Sequence, residues 1–267
     1  MSGATEPAAG RAHEGRRADA EAILASLRAR RSVRAYTGEP VSVADERAIL
    51  EAACQAPTAG NEQMYTIVVV RDEGERRALE RTCDGQPFVS AAPLLLVFCA
   101  DVRRWWRAFA AAGCAPRDPG VGDFLLATQD ATIAAQNAVV AAEALGLGSC
   151  YVGDILEHGE EQRRILGCPA YVVPVVMLAI GHPTDQQRAR RKPPRFDLGQ
   201  VVCEDRYREL PVGEVSDAIA AKISSASASA GAETLRHFCA RKWDSDFSRE
   251  MTRSVRATME GFPFTGA

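Results

Sequence analysis

Aromatic side chains are scarce, at 6% of the 267 residues. That argues against a base-stacking surface for single-stranded nucleic acid. An excess of either charge is also missing. Lys and Arg number 32 against 35 Asp and Glu, for a net charge of -3. The chain therefore lacks the basic footprint that nucleic acid or an anionic membrane would require. Long apolar runs are absent too. Runs such as VVPVVMLAI over 172–180 are too short to span a bilayer. Residues 1–18, MSGATEPAAGRAHEGRRA, contain no apolar stretch of the secretory kind. Their Ala, Gly and charge content predicts a disordered leader, and the protein is expected to be cytoplasmic. The eight cysteines (54, 83, 99, 114, 150, 168, 203 and 239) form no CxxC and show no zinc-ligand spacing. They read as reduced structural thiols, several of them inside apolar patterns, and no metal is expected. GxSxG, HExxH, GxGxxG and a Walker loop are all missing, which points away from the hydrolases, zincins and dinucleotide or phosphate-loop folds those motifs mark. His13, His158, His182 and His237 are scattered and suggest no catalytic constellation.

What remains is an ordinary globular composition, 46% apolar and 25% charged, on a chain long enough to bury a sizeable core. AEAILASLRARR (20–31) has apolar residues at helical spacing. Ser42 is placed to cap the next helix, with Asp45 three residues on, and that helix should stop before Pro57. YTIVVV (65–70) and PLLLVFCA (93–100) read as buried strands. VVPVVMLAI reads as a third, which Pro174 pushes toward an edge or toward its own start. Residues 101–123 look irregular, a loop of the kind that forms lids or binding elements. FLLATQDATIAAQNAVVAAEALGLG (124–148) is the strongest helix. It is apolar on nearly all sides and so destined for a core or a subunit interface, with Gly146 and Gly148 suited to its stop. A basic, Pro-rich loop follows the third strand. SSASASAGA (224–232) is a flexible linker, and one or two terminal helices close the chain. Mixed helices and buried strands predict an α+β or α/β class, and no repeat is found.

The arginines stand out. Arg30, Arg31 and Arg34 crowd around Ser32 in RRSVRAY, and Arg190, Arg191, Lys192 and Arg195 lie far along the chain. Guanidinium forks match phosphate oxygens, so two such clusters closing on one phosphate is one reading. Solvated charge runs are the other. APTAGNEQM adds a side-chain amide pair, Asn61 and Gln63, just before a strand. Amides donate and accept in one plane, which suits the edge of a heteroaromatic ring. A plain connector is the alternative.

Taken together in order and spacing, RRSVRAY, APTAGNEQ, DATIAAQNAVVAAEALGLGSCYVGDI and KPPRFDL resemble the FMN-dependent nitroreductase family over roughly residues 20–203. The resemblance implies an α+β nitroreductase-like fold with a central, mostly antiparallel sheet flanked by helices. It also implies a homodimer with two FMN sites at the interface. By motif, Arg30, Arg31, Ser32 and Arg34 would belong to the phosphate and ribityl region, with Lys192 and Arg195 completing the grip. Asn61 and Gln63 would lie beside the ring or substrate pocket, and Val152 and Gly153 near its N5 and O4 edge. Met64 and Tyr65 stand where many relatives carry Pro and an aromatic, and Val152 where some carry Glu. The organisation expected is a leader (1–18), an FMN-binding domain (19–210), and a linker with a helical extension (211–267) that exceeds the family's minimal fold and is placed to wrap the partner. The implied activity is hydride transfer from NAD(P)H through flavin N5 to a small-molecule acceptor (a nitroaromatic, quinone or activated alkene) with ping-pong kinetics. An oxygen-using oxidase and a non-catalytic flavin-binding protein are the alternatives.

Overall fold

The computed structural model describes residues 7–223 and 231–262. Helix α1 (Pro7–Ala29) opens the chain and α2 (Val43–Cys54) follows, with the Ser42 hydroxyl accepting from Asp45 N at its start. A 3-10 turn at Ala59–Asn61 leads into β1 (Tyr65–Val69). Next come α3 (Glu73–Thr82), α4 (Phe88–Ala91), β2 (Leu94–Asp101), α5 (Arg103–Ala111) and α6 (Val121–Ala144). Then β3 (Gly148–Val152), a 3-10 turn (Gly153–Leu156), α7 (Gly159–Ile165) and β4 (Val172–Gly181) complete the sheet. Short helices α8 (Asp185–Ala189) and α9 (Leu198–Val201) precede α10 (Val212–Ile223), α11 (Gly231–Lys242) and α12 (Asp246–Glu260).

The strands form one antiparallel sheet in the order β1-β2-β4-β3. On one face Leu94, Leu96, Phe98 and Ala100 meet the alanines of α6, Ala127, Ala131, Ala134 and Ala138. Small residues let that helix lie close against the strands. On the other face Leu95, Val97 and Cys99 meet Leu79, Val89 and Ile155. With both faces covered, β2 and β4 are buried throughout, which is why they appear as unbroken apolar runs rather than alternating ones.

Several expectations change. β4 is an inner strand, not an edge. Pro174 sits at its third position opposite Cys99, where the register shifts between Phe98 and Cys99. A bulge relieves the ladder of the amide hydrogen that proline lacks. Residues 101–123 are not irregular throughout, because 103–111 form α5. Trp105 and Phe109 at i and i+4 stack with centroids 5.6 Å apart, and Trp105 Nε1 donates to Glu62 O at 2.6 Å. Of the leader, residues 7–18 run as the first part of α1, while residues 1–6 lie outside the described residues. Most of the expected 224–232 linker also lies outside them. Two terminal helices form, and α12 docks on α7 and the preceding 3-10 turn. Buried Ser254 accepts from Gly159 N and donates to Leu156 O, both at 2.8 Å. Among the described residues, no helix is long and apolar enough to cross a membrane.

Candidate functional site

The segment after α1 runs along the outer edge of β3. Ser32 bridges Ser149 in parallel, and Val33 N donates to Ser149 O at 3.0 Å. The packing is close: a Cβ on Gly148 would come within 2.5 Å of Val33 Cγ2, so glycine is required there for steric reasons. Tyr36 anchors the far end. Its hydroxyl reaches Val33 O at 2.9 Å and Ala179 O at 3.0 Å, and burial pushes its ionisation up.

This placement gathers charge. Arg30, Ser32 and Arg34 surround Cys150, whose thiol is pushed up by burial while Arg34, the Ser32 hydroxyl and Arg30 pull it down. Arg34 also lies 5.9 Å from the centre of the Phe88 ring, and its backbone N–H donates to Gln187 Oε1 at 3.2 Å. Arg31 Nη1 donates to Arg190 O at 2.7 Å, a contact between residues 159 positions apart. Lys192 Nζ reaches the carbonyls of Leu27 and Arg28 at 3.4 and 2.6 Å. It thus caps α1 with a cation, as the helix dipole favours. Desolvation and the like charges of Arg195 and Arg30 pull the Lys192 ammonium below its usual range. Glu143 of α6 stands among them. Burial raises its carboxyl against the pull of Arg30, Arg31 and Lys192. Arg195 Nη1 turns back on the carbonyls of Pro193 and Pro194 at 3.3 and 3.5 Å. Arg30 Nη1 is buried with no hydrogen-bond partner, and so is Ser149 Oγ. Buried donors normally have partners, so these two mark a place where an oxygen-bearing ligand would fit.

Val152 and Gly153 continue from this cluster. Val152 is buried in the core on the sheet face opposite α6, against Met177, and exposed Gly153 opens the 3-10 turn. Asn61 and Gln63 lie elsewhere. They precede β1, at the opposite edge of the sheet from β3, three inter-strand spacings or about 14 Å away. The chain therefore brings Arg30, Arg31, Ser32, Arg34, Lys192 and Val152 to one side and leaves Asn61 and Gln63 on the other.

The Asn61–Gln63 loop is nonetheless built with care. Asn61 and Gln63 both adopt left-handed backbone angles (φ 59° and 49°), which non-glycine residues rarely hold without support. That support comes from Asp130 of α6, 2% exposed. Its carboxylate accepts from Ala59 N at 3.0 Å and Met64 N at 3.1 Å. Gln63 Nε2 donates to Cys54 O at 3.1 Å. The sequence reading missed Asp130, Tyr36, Ser149, Gln187 and Glu143. Asp130 carried a usable signal, an acid in the middle of a helix otherwise bound for the core. The others required the fold.

An α+β protein with a basic, partly orphaned donor cluster on a sheet edge and a strained amide loop at the opposite edge is the class that fold and site define. The nitroreductase family model matches residues 27–182. An FMN reductase [NAD(P)H] of Bacillus subtilis is 36% identical over 69% of this chain and 74% of its own. An oxygen-insensitive NADPH nitroreductase of Salmonella typhimurium is 34% identical over 67% and 72%. The solved structure of NfrA2 from B. megaterium superposes with a TM-score of 0.77 at 29% identity, covering 91% and 98%. The chain belongs to the nitroreductase family.

Proposed function

We propose that the protein is an NAD(P)H-dependent FMN oxidoreductase that works as a cytoplasmic homodimer. The observation that carries this is the closure of two distant basic segments on the β3 edge around the unpartnered Arg30 Nη1. The similar FMN reductase and NADPH nitroreductase support the same reading. Arg30, Ser32 and Arg34 would hold the FMN phosphate, with Lys192 and Arg195 relieving their mutual repulsion against it. Backbone N–H groups at Val152 and Gly153 would face the ring. A bound FMN would supply the hydride chemistry between reduced nicotinamide and an oxidised acceptor. This chain positions the ring and needs no side chain as acid or base. One pocket serving two substrates in turn gives ping-pong kinetics.

The placement of the loop supports the dimer. Asn61 and Gln63 lie at the sheet edge opposite Arg30, and the loop of a second copy would bring its amide pair to the ring. Apolar residues are available for the contact. Ile23, Leu24 and Leu27 of α1 and Leu125, Leu126 and Ile133 of α6 are all exposed in the single chain. Residues 19–210 would form the cofactor domain, and 211–267 the extension.

The test is an anaerobic visible spectrum of the purified protein before and after NADPH. Flavin bands that bleach are expected, with reoxidation by a quinone or nitroaromatic. Bands that persist would favour an oxidase or a flavin carrier. Absence of flavin after incubation with FMN would overturn the reading.

A further inference from the structure

Two of the thiols, Cys99 and Cys168, belong to one packed cluster on the sheet face that α6 does not cover. Cys99 stands on β2, level with Thr66 of β1, and Cys168 follows α7 and packs onto the same cluster. Both line one open cleft of about 390 Å³. Their accessibilities differ: Cys99 is fully buried and Cys168 half-buried.

Cys168 is held rigidly. Gly167 takes a left-handed φ of 63°, Gly167 N donates to Arg164 O at 3.3 Å, and Cys168 N donates to Arg163 O at 2.8 Å. That pair of bonds is the Schellman stop of α7, and it fixes the thiol beside β2. Arg163 donates to Pro169 O at 3.3 Å and keeps a buried Nε with no protein partner. Arg103, Arg104 and Arg107 line the same cleft, and Asp101 offsets them through Arg104 at 3.8 Å. The contact with Cys99, backed by the charge of Arg163, pulls the Cys168 thiol down against burial and Asp101. The contact with Cys168, burial and Asp101 push Cys99 up. Cys168 is therefore the thiol that meets solvent, with Cys99 buried behind it. Low-pKa, accessible thiols beside a second cysteine are the ones that oxidise reversibly.

We propose that Cys99 and Cys168 form a redox-active dithiol site, oxidised to a disulfide by hydroperoxides, with Cys168 attacking and Cys99 resolving. In the first step the Cys168 thiolate attacks one peroxide oxygen. The S–O bond forms and the O–O bond breaks. The leaving oxygen takes a proton as water, or as an alcohol from an organic hydroperoxide. The peroxide gains two electrons, and the sulfur becomes a sulfenic acid. In the second step Cys99 Sγ attacks that sulfur. The S–S bond forms, the S–O bond breaks, and the hydroxyl leaves as water with the Cys99 proton. The product ties β2 to the connection between α7 and β4. None of this depends on the flavin reading, because neither step uses the cofactor.

The experiment exposes the full chain to hydrogen peroxide, caps free thiols and maps cysteines by mass spectrometry. A variant with C54S, C114S, C203S and C239S removes the exposed thiols, and the wild-type chain is mapped in parallel in case that variant fails to fold. A Cys99–Cys168 peptide that dithiothreitol reverses is expected. In Cys99→Ser, dimedone should tag Cys168. In Cys168→Ser, the cross-link should vanish and Cys99 should stay reduced. If both thiols survive peroxide uncapped and react only after unfolding, or if Cys83 or Cys150 oxidises first, the proposal fails.

Discussion

Arg30 and Asp130 carry opposite charges and face opposite situations. Arg30 holds a buried guanidinium nitrogen with nothing to donate to, an arrangement that costs free energy until an anionic oxygen arrives. Arg30→Ala should leave a folded protein. A hydrogen bond to a charged group is worth about 1.5–3 kcal/mol, so FMN affinity should fall roughly ten- to a hundredfold in a fluorescence titration. Unchanged affinity would move the phosphate elsewhere. Asp130 has both its acceptors satisfied, by Ala59 N and Met64 N. Asp130→Ala orphans two amides at about 1–3 kcal/mol each, so urea unfolding should show a loss of about 2–6 kcal/mol. Asp130→Asn keeps one acceptor and should lose less. Equal stability of all three proteins would mean that the loop is held by something other than this carboxylate.

Among the elements, α12 makes the most testable contact. Arg253 grips Glu160 of α7 through both carboxylate oxygens, at 2.8 and 2.9 Å, and also binds Glu250. His158 lies 3.1 Å from Glu250. The Arg253 hydrogen bonds hold the Glu160 carboxyl down to about 2, from an ordinary 4.5. The sign is that of a depressed acid. Its contribution to docking is full above pH 4.5, and it is lost as the pH falls toward 2. The effect is small, since the pair is exposed and salt screens it. Amide exchange in α12 should quicken through that window, and Arg253→Ala should remove the step. An α12 whose protection tracks global unfolding at every pH would refute the contact. The elements also reveal the limits of local pattern. Ser42, the run before Pro57 and the β-branched strands were legible because caps, breakers and buried strands leave signals within a few residues. α5 was hidden because its two tryptophans and following Gly and Pro residues resemble loop, and its helix is secured by a bond to Glu62, forty residues away.

The whole molecule decides how the site is assembled. Leu126 and Ile133 of α6 are 42% and 41% exposed in the single chain. If α6 meets a second copy, Leu126→Asp should yield monomers in light scattering and lose FMN at the same time. A wild-type protein that is monomeric at micromolar concentration yet saturated with FMN would show that one chain suffices, and the Asn61–Gln63 loop would then need another role.

By itself, the sequence settled the chemistry on offer: arginine forks with a serine, an amide pair, and an Ala-rich helix stopping at glycine. Residue type determines donors, acceptors and backbone freedom, and these are local properties. It also carried the α+β class, because a buried strand and a buried helix must shed their polar residues wherever they pack. The tertiary structure alone decided which groups meet. Residues 31 and 190 touch because β4 returns beside β3. Arg30 and Asn61 stay apart because two inner strands stand between their edges. Cys99 and Cys168 share one cleft because a left-handed glycine turns the chain back at the end of α7. Such meetings depend on strand order and helix termination across the whole chain, and no spacing along it encodes them.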